Sequence, residues 1–144
     1  MQIPVKAYNS FLSPGIQITM MHPSHATALE ALQYLVFPNL AEKEILHATQ
    51  YLRHLEIFPE GQFVAMDNDK VIGATTTMRY HLQTGSDAHH TFIDIMGGGW
   101  LTTHNPTGEW LYGLDVGVHP GYRGKGIAKG LYRARQHLVK ELGD

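Results

Sequence analysis

The sequence contains no cysteine among its 144 residues. This absence excludes a disulfide framework, a thiolate-ligated zinc or iron–sulfur centre and a cysteine nucleophile. No stretch approaches the roughly 18–20 apolar residues that a membrane-spanning helix needs, and the first residues lack the basic-then-apolar run of a secretory signal. We therefore predict a single domain over residues 1–144 that is cytoplasmic and has no membrane partner.

Charged residues are also scarce, at 17% of the chain, where typical domains have about 25%. They are unevenly placed: five Lys/Arg and 11 Asp/Glu precede residue 119, and six Lys/Arg and two Asp/Glu follow from there. Domains that bind duplex nucleic acid usually carry a net positive charge. The distribution predicts a local anion site near the C-terminal end and no nucleic-acid partner.

Hydrophobic periodicity predicts the element order β-α-α-β-β-β-α and an α/β fold with a mixed sheet. The predicted strands cover residues 16–20, 62–66, 71–80 and 109–118, and a tight turn at residues 67–70 makes the second and third of them a hairpin. A first helix ends before Pro38, and a second follows Asn39, with Ile45, Ala48, Leu52 and Leu55 on its apolar stripe. A last helix runs from about Gly124 to Leu142, with a buried stripe of Ile127, Leu131, Ala134, Leu138 and Leu142.

The most informative segment, from Leu114 to Ala128, places a strand, a glycine-rich turn and a helix start in succession. The first turn of a helix has N–H groups without partners, and the helix dipole adds partial positive charge there. Gly124 and Gly126 have no side chains to keep a phosphate away from these amides. Arg123 and Lys125 add full positive charges. This pattern favours a pyrophosphate site.

Two other phosphate motifs fit poorly. A P-loop needs Ser or Thr after its Gly-Lys pair, whereas Gly126 follows Gly124-Lys125. The dinucleotide fingerprint GxGxxG would need glycine at position 129, which is Lys129. A nucleotide-binding interpretation is therefore disfavoured.

Arg123, Gly126 and Ala128 form the pattern Arg-x-x-Gly-x-Ala, preceded by Val118-His119-Pro120. This segment resembles the acyl-CoA signature of the GCN5-related N-acetyltransferases, Gln/Arg-x-x-Gly-x-Gly/Ala between a central strand and the following helix. The resemblance implies an acyl-CoA N-acyltransferase-like fold with acetyl-CoA as cosubstrate and no metal. It further implies acetyl transfer to a primary amine, on a small molecule or a peptide, by direct attack within a ternary complex.

The resemblance also implies the roles of individual residues. Backbone groups of Val116, Gly117 and Val118 would pair with the pantetheine arm as an added strand would. The CoA pyrophosphate would be held by the amides of Arg123, Gly124, Lys125, Gly126, Ile127 and Ala128. The side chain of Arg123 would lock the turn as well as face phosphate.

Two carboxylates are candidates for the base that removes a proton from the amine, Glu109 and Asp115. They are six positions apart, so in an unbroken strand they would face the same side. The alternative is that Glu109 is a surface residue at the strand end and that Asp115 holds a loop. The ten histidines follow no metal-site spacing and are interpreted as ordinary loop and surface residues.

Members of this family usually continue past the signature helix with a strand, a helix and two strands, whereas this sequence ends at Asp144. We therefore expect a domain that is incomplete at its C-terminus, with no residue to assign as general acid. The last central strand would keep an open edge, which favours a homo-oligomer. The alternative function is a non-catalytic acyl-CoA-binding or self-assembling module.

Overall fold

The structure is a computed structural model that describes residues 8–13, 15–42, 45–80 and 110–141, with the backbone alone at residues 13, 78–80 and 110–115. The strands are β1 (Asn9–Ser13), β2 (Ile16–Met20), β3 (Gln62–Asp67), β4 (Lys70–Tyr80) and β5 (Trp110–Val118). The helices are α1 (Ala26–Val36), α2 (Ala48–Ile57) and α3 (Ile127–Glu141).

The strands form one five-stranded sheet in the order β1-β2-β3-β4-β5. All four pairings between these neighbours are antiparallel. The predicted α/β class is confirmed, but the sheet is antiparallel among the described strands and not mixed as predicted. β1 is an additional strand that the periodicity did not predict. Within the described residues, β1 and β5 are the two edges of the sheet.

The β3–β4 hairpin forms where the sequence predicted a tight turn. Asp67 pairs with Lys70 at its end, and Asn68 adopts the left-handed region with φ 52°. Asparagine tolerates that region because its short polar side chain can bond locally. The Asn68 N–H also donates to Gly15 O at 2.7 Å, so this turn is joined to the β1–β2 connection.

The second helix differs from its prediction. It begins at Ala48, with His47 as its N-cap, well after Asn39. Ile45 is buried but lies before the helix, and Leu52 is 39% exposed. The face that packs inward carries Tyr51 and His54. The predicted stripe contained aliphatic residues only, so it left out this aromatic ring and this histidine.

The core lies on both faces of the sheet. On one face, α1 and α2 pack over β3 and β4 through Leu29, Tyr51 and Val64 among others. On the other face, α3 packs through Ile127, Leu131, Ala134 and Leu138, four of the five residues predicted for its stripe. The fifth, Leu142, lies outside the described residues. Successive strand residues point to opposite faces of the sheet. A helical layer on each side therefore buries the side chains of both faces. This packing fixes the position of α3 relative to β5.

Candidate functional site

The connection from β5 to α3 is a short, mostly exposed turn. The His119 N–H donates to Ile72 O at 2.7 Å, where β5 leaves the sheet. A 3-10 turn then spans Pro120–Tyr122, and α3 begins at Ile127. The predicted succession of strand, glycine-rich turn and helix is therefore present in the structure.

Two glycines give this turn its shape. Gly124 and Gly126 both have φ +80°, a region that costs other L-residues about 1–2 kcal/mol. A Cβ atom at either position would meet no atom within 4 Å. The backbone conformation, and not a lack of space, therefore requires glycine, and the space over the turn is open.

The open side of the turn exposes the N-terminus of α3. The Gly130 N–H donates to Gly126 O at 3.0 Å, which is the first bond of the helix. The amides just before Gly130 in the first turn have no acceptor within the helix. Ile127 is only 1% exposed because its side chain packs into the core, so its burial holds the helix end in place. These amides and the helix dipole can stabilise an anion.

Four cations lie in the turn before α3 or within its first two turns. Arg123, Lys125, Lys129 and Arg133 are all exposed. Within the residues that the structure describes, none of the four makes an ion pair. Their charges are therefore available to an anionic ligand. The second role expected of Arg123, locking the turn, stays a prediction.

Tyr122, for which no role was predicted, and His119 hold the turn through their side chains. The Tyr122 hydroxyl donates to Asp67 Oδ2 at 2.5 Å, and Lys70 Nζ lies 5.5 Å from the centre of the Tyr122 ring. The hydrogen bond to the Asp67 carboxylate raises the pKa of Tyr122, because ionisation would remove the donor and bring two negative charges together. No sequence signal marks this contact, since Tyr122 and Asp67 are 55 positions apart.

The His119 side chain closes the 3-10 turn from within. Its Nδ1 accepts a hydrogen bond from the Gly121 N–H at 3.0 Å. Its ring also meets the Tyr122 ring edge-on, with 5.5 Å between the centres. This side chain therefore caps the turn.

The last residues of β5 have one free side. Val116, Gly117 and Val118 pair with Thr75, Ala74 and Gly73 of β4. On the other side of β5, no strand is paired among the residues described. A Cβ atom at Gly117 would lie 3.4 Å from Val36 Cγ1, so the end of α1 covers this part of the strand. An extended ligand arm could pair with the free side; this role of the three residues stays a prediction.

The described residues do not include both candidate bases, so their roles stay predictions. Glu109 lies outside the described residues, and Asp115 is described by its backbone alone, paired with Thr76. Thr77 pairs with Gly113, so Leu114 is an extra residue in β5. The premise of an unbroken strand is therefore wrong, because a bulge at Leu114 interrupts β5.

No group of three or more His, Asp or Glu side chains that could hold a metal occurs in the described ranges. His22 and His25 instead bond locally, the His22 N–H donating to His25 Nδ1 at 3.0 Å. Burial, together with the neighbouring His22, lowers the pKa of His25.

Among the described helices, none has the length and apolarity needed to cross a membrane.

Comparison with known proteins places this geometry in a family. The sequence pattern of the acetyltransferase (GNAT) family matches residues 27–144. The "Uncharacterized N-acetyltransferase YkwB" of Bacillus subtilis is 33% identical over 112 residues, which cover 77% of this chain and 49% of that protein. The "Probable hydrolase YhcX" of the same species is 42% identical over 91 residues, 63% of this chain and 18% of that protein. The chain thus matches less than half the length of either curated relative.

A solved structure supports the fold. The GNAT family acetyltransferase of Brucella melitensis in complex with acetyl-CoA superposes with a TM-score of 0.55. Its sequence is 18% identical, and the match covers 89% of this chain and 69% of that one.

Replacing Gly124 by alanine should lower the free energy of unfolding by about 1–2 kcal/mol, because alanine must adopt the φ of +80° without gaining or losing a contact. Urea denaturation measures the change. Lys125→Ala, next to it and also exposed, is the control and should change stability by less than about 0.5 kcal/mol. Equal stability of Gly124→Ala and the unmodified protein would contradict the assigned backbone conformation.

Proposed function

The chain belongs to the GNAT family of acetyltransferases, as its signature indicated, and on this basis we propose that it binds acetyl-CoA and transfers the acetyl group to a primary amine. The observation that carries the proposal is the exposed N-terminus of α3, bordered by Gly124 and Gly126 with open space above both. A pyrophosphate fits this site because the helix amides and dipole favour a compact anion. The acetyl-CoA complex of the Brucella melitensis relative supports the choice of cosubstrate.

In this proposal, the cofactor lies along the end of β5 and over the turn. The backbone amides from Arg123 to Ala128 hold the pyrophosphate, and Val116, Gly117 and Val118 pair with the pantetheine arm. Val116 and the residues before it would then lie toward the thioester. Arg123 and Lys125, both exposed and free of described ion pairs, add charge that favours the phosphates.

The proposed chemistry is a direct transfer within a ternary complex. The amine nitrogen attacks the thioester carbonyl carbon, a C–N bond forms, the C–S bond breaks and the CoA thiolate leaves. The amine proton passes to a carboxylate, for which Asp115 and Glu109 are the candidates. Asp115 is the first choice of the two because it directly precedes the residues proposed to hold pantetheine.

The acceptor we propose is a small molecule or peptide with a primary amine, and the cytoplasm is the proposed compartment. The acidic residues that dominate the chain before residue 119 favour a cationic acceptor. Neither a nucleic acid nor a membrane is part of the proposal.

The alternative is a module that binds acyl-CoA without turnover or that assembles with copies of itself. The position of β5 at an edge of the described sheet supports it. An unpaired strand edge is a template for pairing with a second chain. A homo-oligomer through β5 is therefore part of this alternative.

Gly126→Asp should abolish acetyl-CoA binding while the fold is retained, since it adds a negative charge and bulk against the pyrophosphate. Isothermal titration calorimetry with acetyl-CoA measures the effect, and NAD and ATP test selectivity. Gly126→Asn is the matched control, because asparagine has nearly the same size without the charge and should bind more tightly than the aspartate variant. Gln136→Glu adds the same charge farther along α3 and should bind normally. Unchanged affinity in Gly126→Asp would refute the site.

Asp115→Asn should reduce kcat by about 10²–10⁴-fold with little change in acetyl-CoA affinity, if Asp115 is the base. Glu109→Gln is the parallel variant, and only one of the two should show the loss. The measurement is release of CoA thiol with a panel of primary amines. If the unmodified protein binds acetyl-CoA but releases no thiol with any amine, the non-catalytic alternative is favoured.

If β5 associates with a second copy, the mass measured by light scattering should rise with protein concentration. Acetyl-CoA should then shift the protein toward the monomer, because the pantetheine arm would compete for the same backbone groups. A monomer at every concentration without ligand would contradict association. An oligomer that is insensitive to saturating acetyl-CoA would place the contact elsewhere.

A further inference from the structure

A side-chain hydrogen bond connects the turn between β5 and α3 to the β3–β4 hairpin. Tyr122 lies directly before the proposed pyrophosphate amides, and its hydroxyl donates to Asp67 Oδ2 at 2.5 Å. The two residues are 55 positions apart, so the bond is made by the fold and not by the local chain.

The Asp67 end of this bond is anchored in the sheet. Asp67 is the last residue of β3 and pairs with Ile16 of β2 on one side and with Lys70 of β4 on the other. The neighbouring Asn68 N–H donates to Gly15 O at 2.7 Å. Two turns and three strands therefore meet at Asp67, which makes it a rigid point of attachment.

The Tyr122 end belongs to a segment with little support of its own. Residues 123–126 are all exposed, and two of them are glycines with open space where a side chain would be. Before the helix begins, the turn is held by the bonds of the His119 backbone and ring and by the Tyr122 hydroxyl. A segment that is not held in advance must be ordered on binding, and that ordering weakens affinity.

We propose that Tyr122 and Asp67 form a positioning pair that holds the amides of residues 123–128 in the arrangement that binds the pyrophosphate. The cofactor part of this inference rests on the proposed function. Neither side chain touches the cofactor in this proposal; the pair acts through the backbone of the turn. Lys70, with Nζ 5.5 Å from the Tyr122 ring centre, supports the ring from the same hairpin.

Calorimetric titration of acetyl-CoA tests the binding consequence. Tyr122→Phe keeps the ring and removes the hydroxyl, and Asp67→Ala removes the acceptor; each should weaken binding about fivefold. The double variant should bind within about twofold of either single variant, because both remove the same interaction. Asp67→Asn should bind like the unmodified protein, since its amide oxygen still accepts the hydroxyl. Asp69→Asn, an exposed position in the same hairpin turn, is the charge control and should have no effect.

Hydrogen–deuterium exchange without ligand tests the positioning itself. In Tyr122→Phe, the amides of residues 123–128 should exchange faster, while those of β3 and β4 keep their protection. Equal exchange in the two proteins would overturn the proposal, as would normal acetyl-CoA binding by Tyr122→Phe or an Asp67→Asn variant as weak as Asp67→Ala. If the unmodified protein binds no acetyl-CoA, the proposed function fails, and exchange alone decides the positioning role.

Discussion

The packing of α3 against the sheet is the constraint on which the candidate site depends. Ile127 is buried at the first position of the helix, one residue after exposed Gly126. The same helix end is therefore fixed in the core on one side and open on the other. Gly124 and Gly126, with φ +80°, let the chain leave β5 and enter the helix without covering its amides. Apolar burial thus provides the rigidity that an anion site needs.

The end of β5 links this turn to the rest of the proposed cleft. Val116, Gly117 and Val118 are paired with β4 on one side only, within the described part of the chain. The same free edge can accept a pantetheine arm or a strand from another copy, because both would use the same backbone donors and acceptors. The catalytic and self-assembling hypotheses are therefore competing uses of one surface.

Long periodic elements were predicted well from the sequence, and local interruptions were not. The described part of the α3 stripe and the β3–β4 hairpin were confirmed. Both are encoded by the spacing of apolar residues, and that spacing decides which side chains of one element can be buried together. The predicted start of α2 was wrong, because the helix is capped at His47, whose backbone N–H donates to Gln50 Oε1, and not at Asn39. Its buried face also includes Tyr51 and His54, which are not aliphatic. The bulge at Leu114 was not predicted, because one extra residue is defined only by its partner strand.

The sequence by itself determined the family, the α/β class and the turn that can hold an anion, because that turn is encoded by neighbours along the chain, above all Gly124 and Gly126. Only the tertiary structure decided what holds the turn in place. The Tyr122–Asp67 bond joins residues 55 positions apart, and no local pattern specifies such a contact. Distant side chains meet only when the helices have packed on both faces of the sheet and brought the hairpin beside the turn.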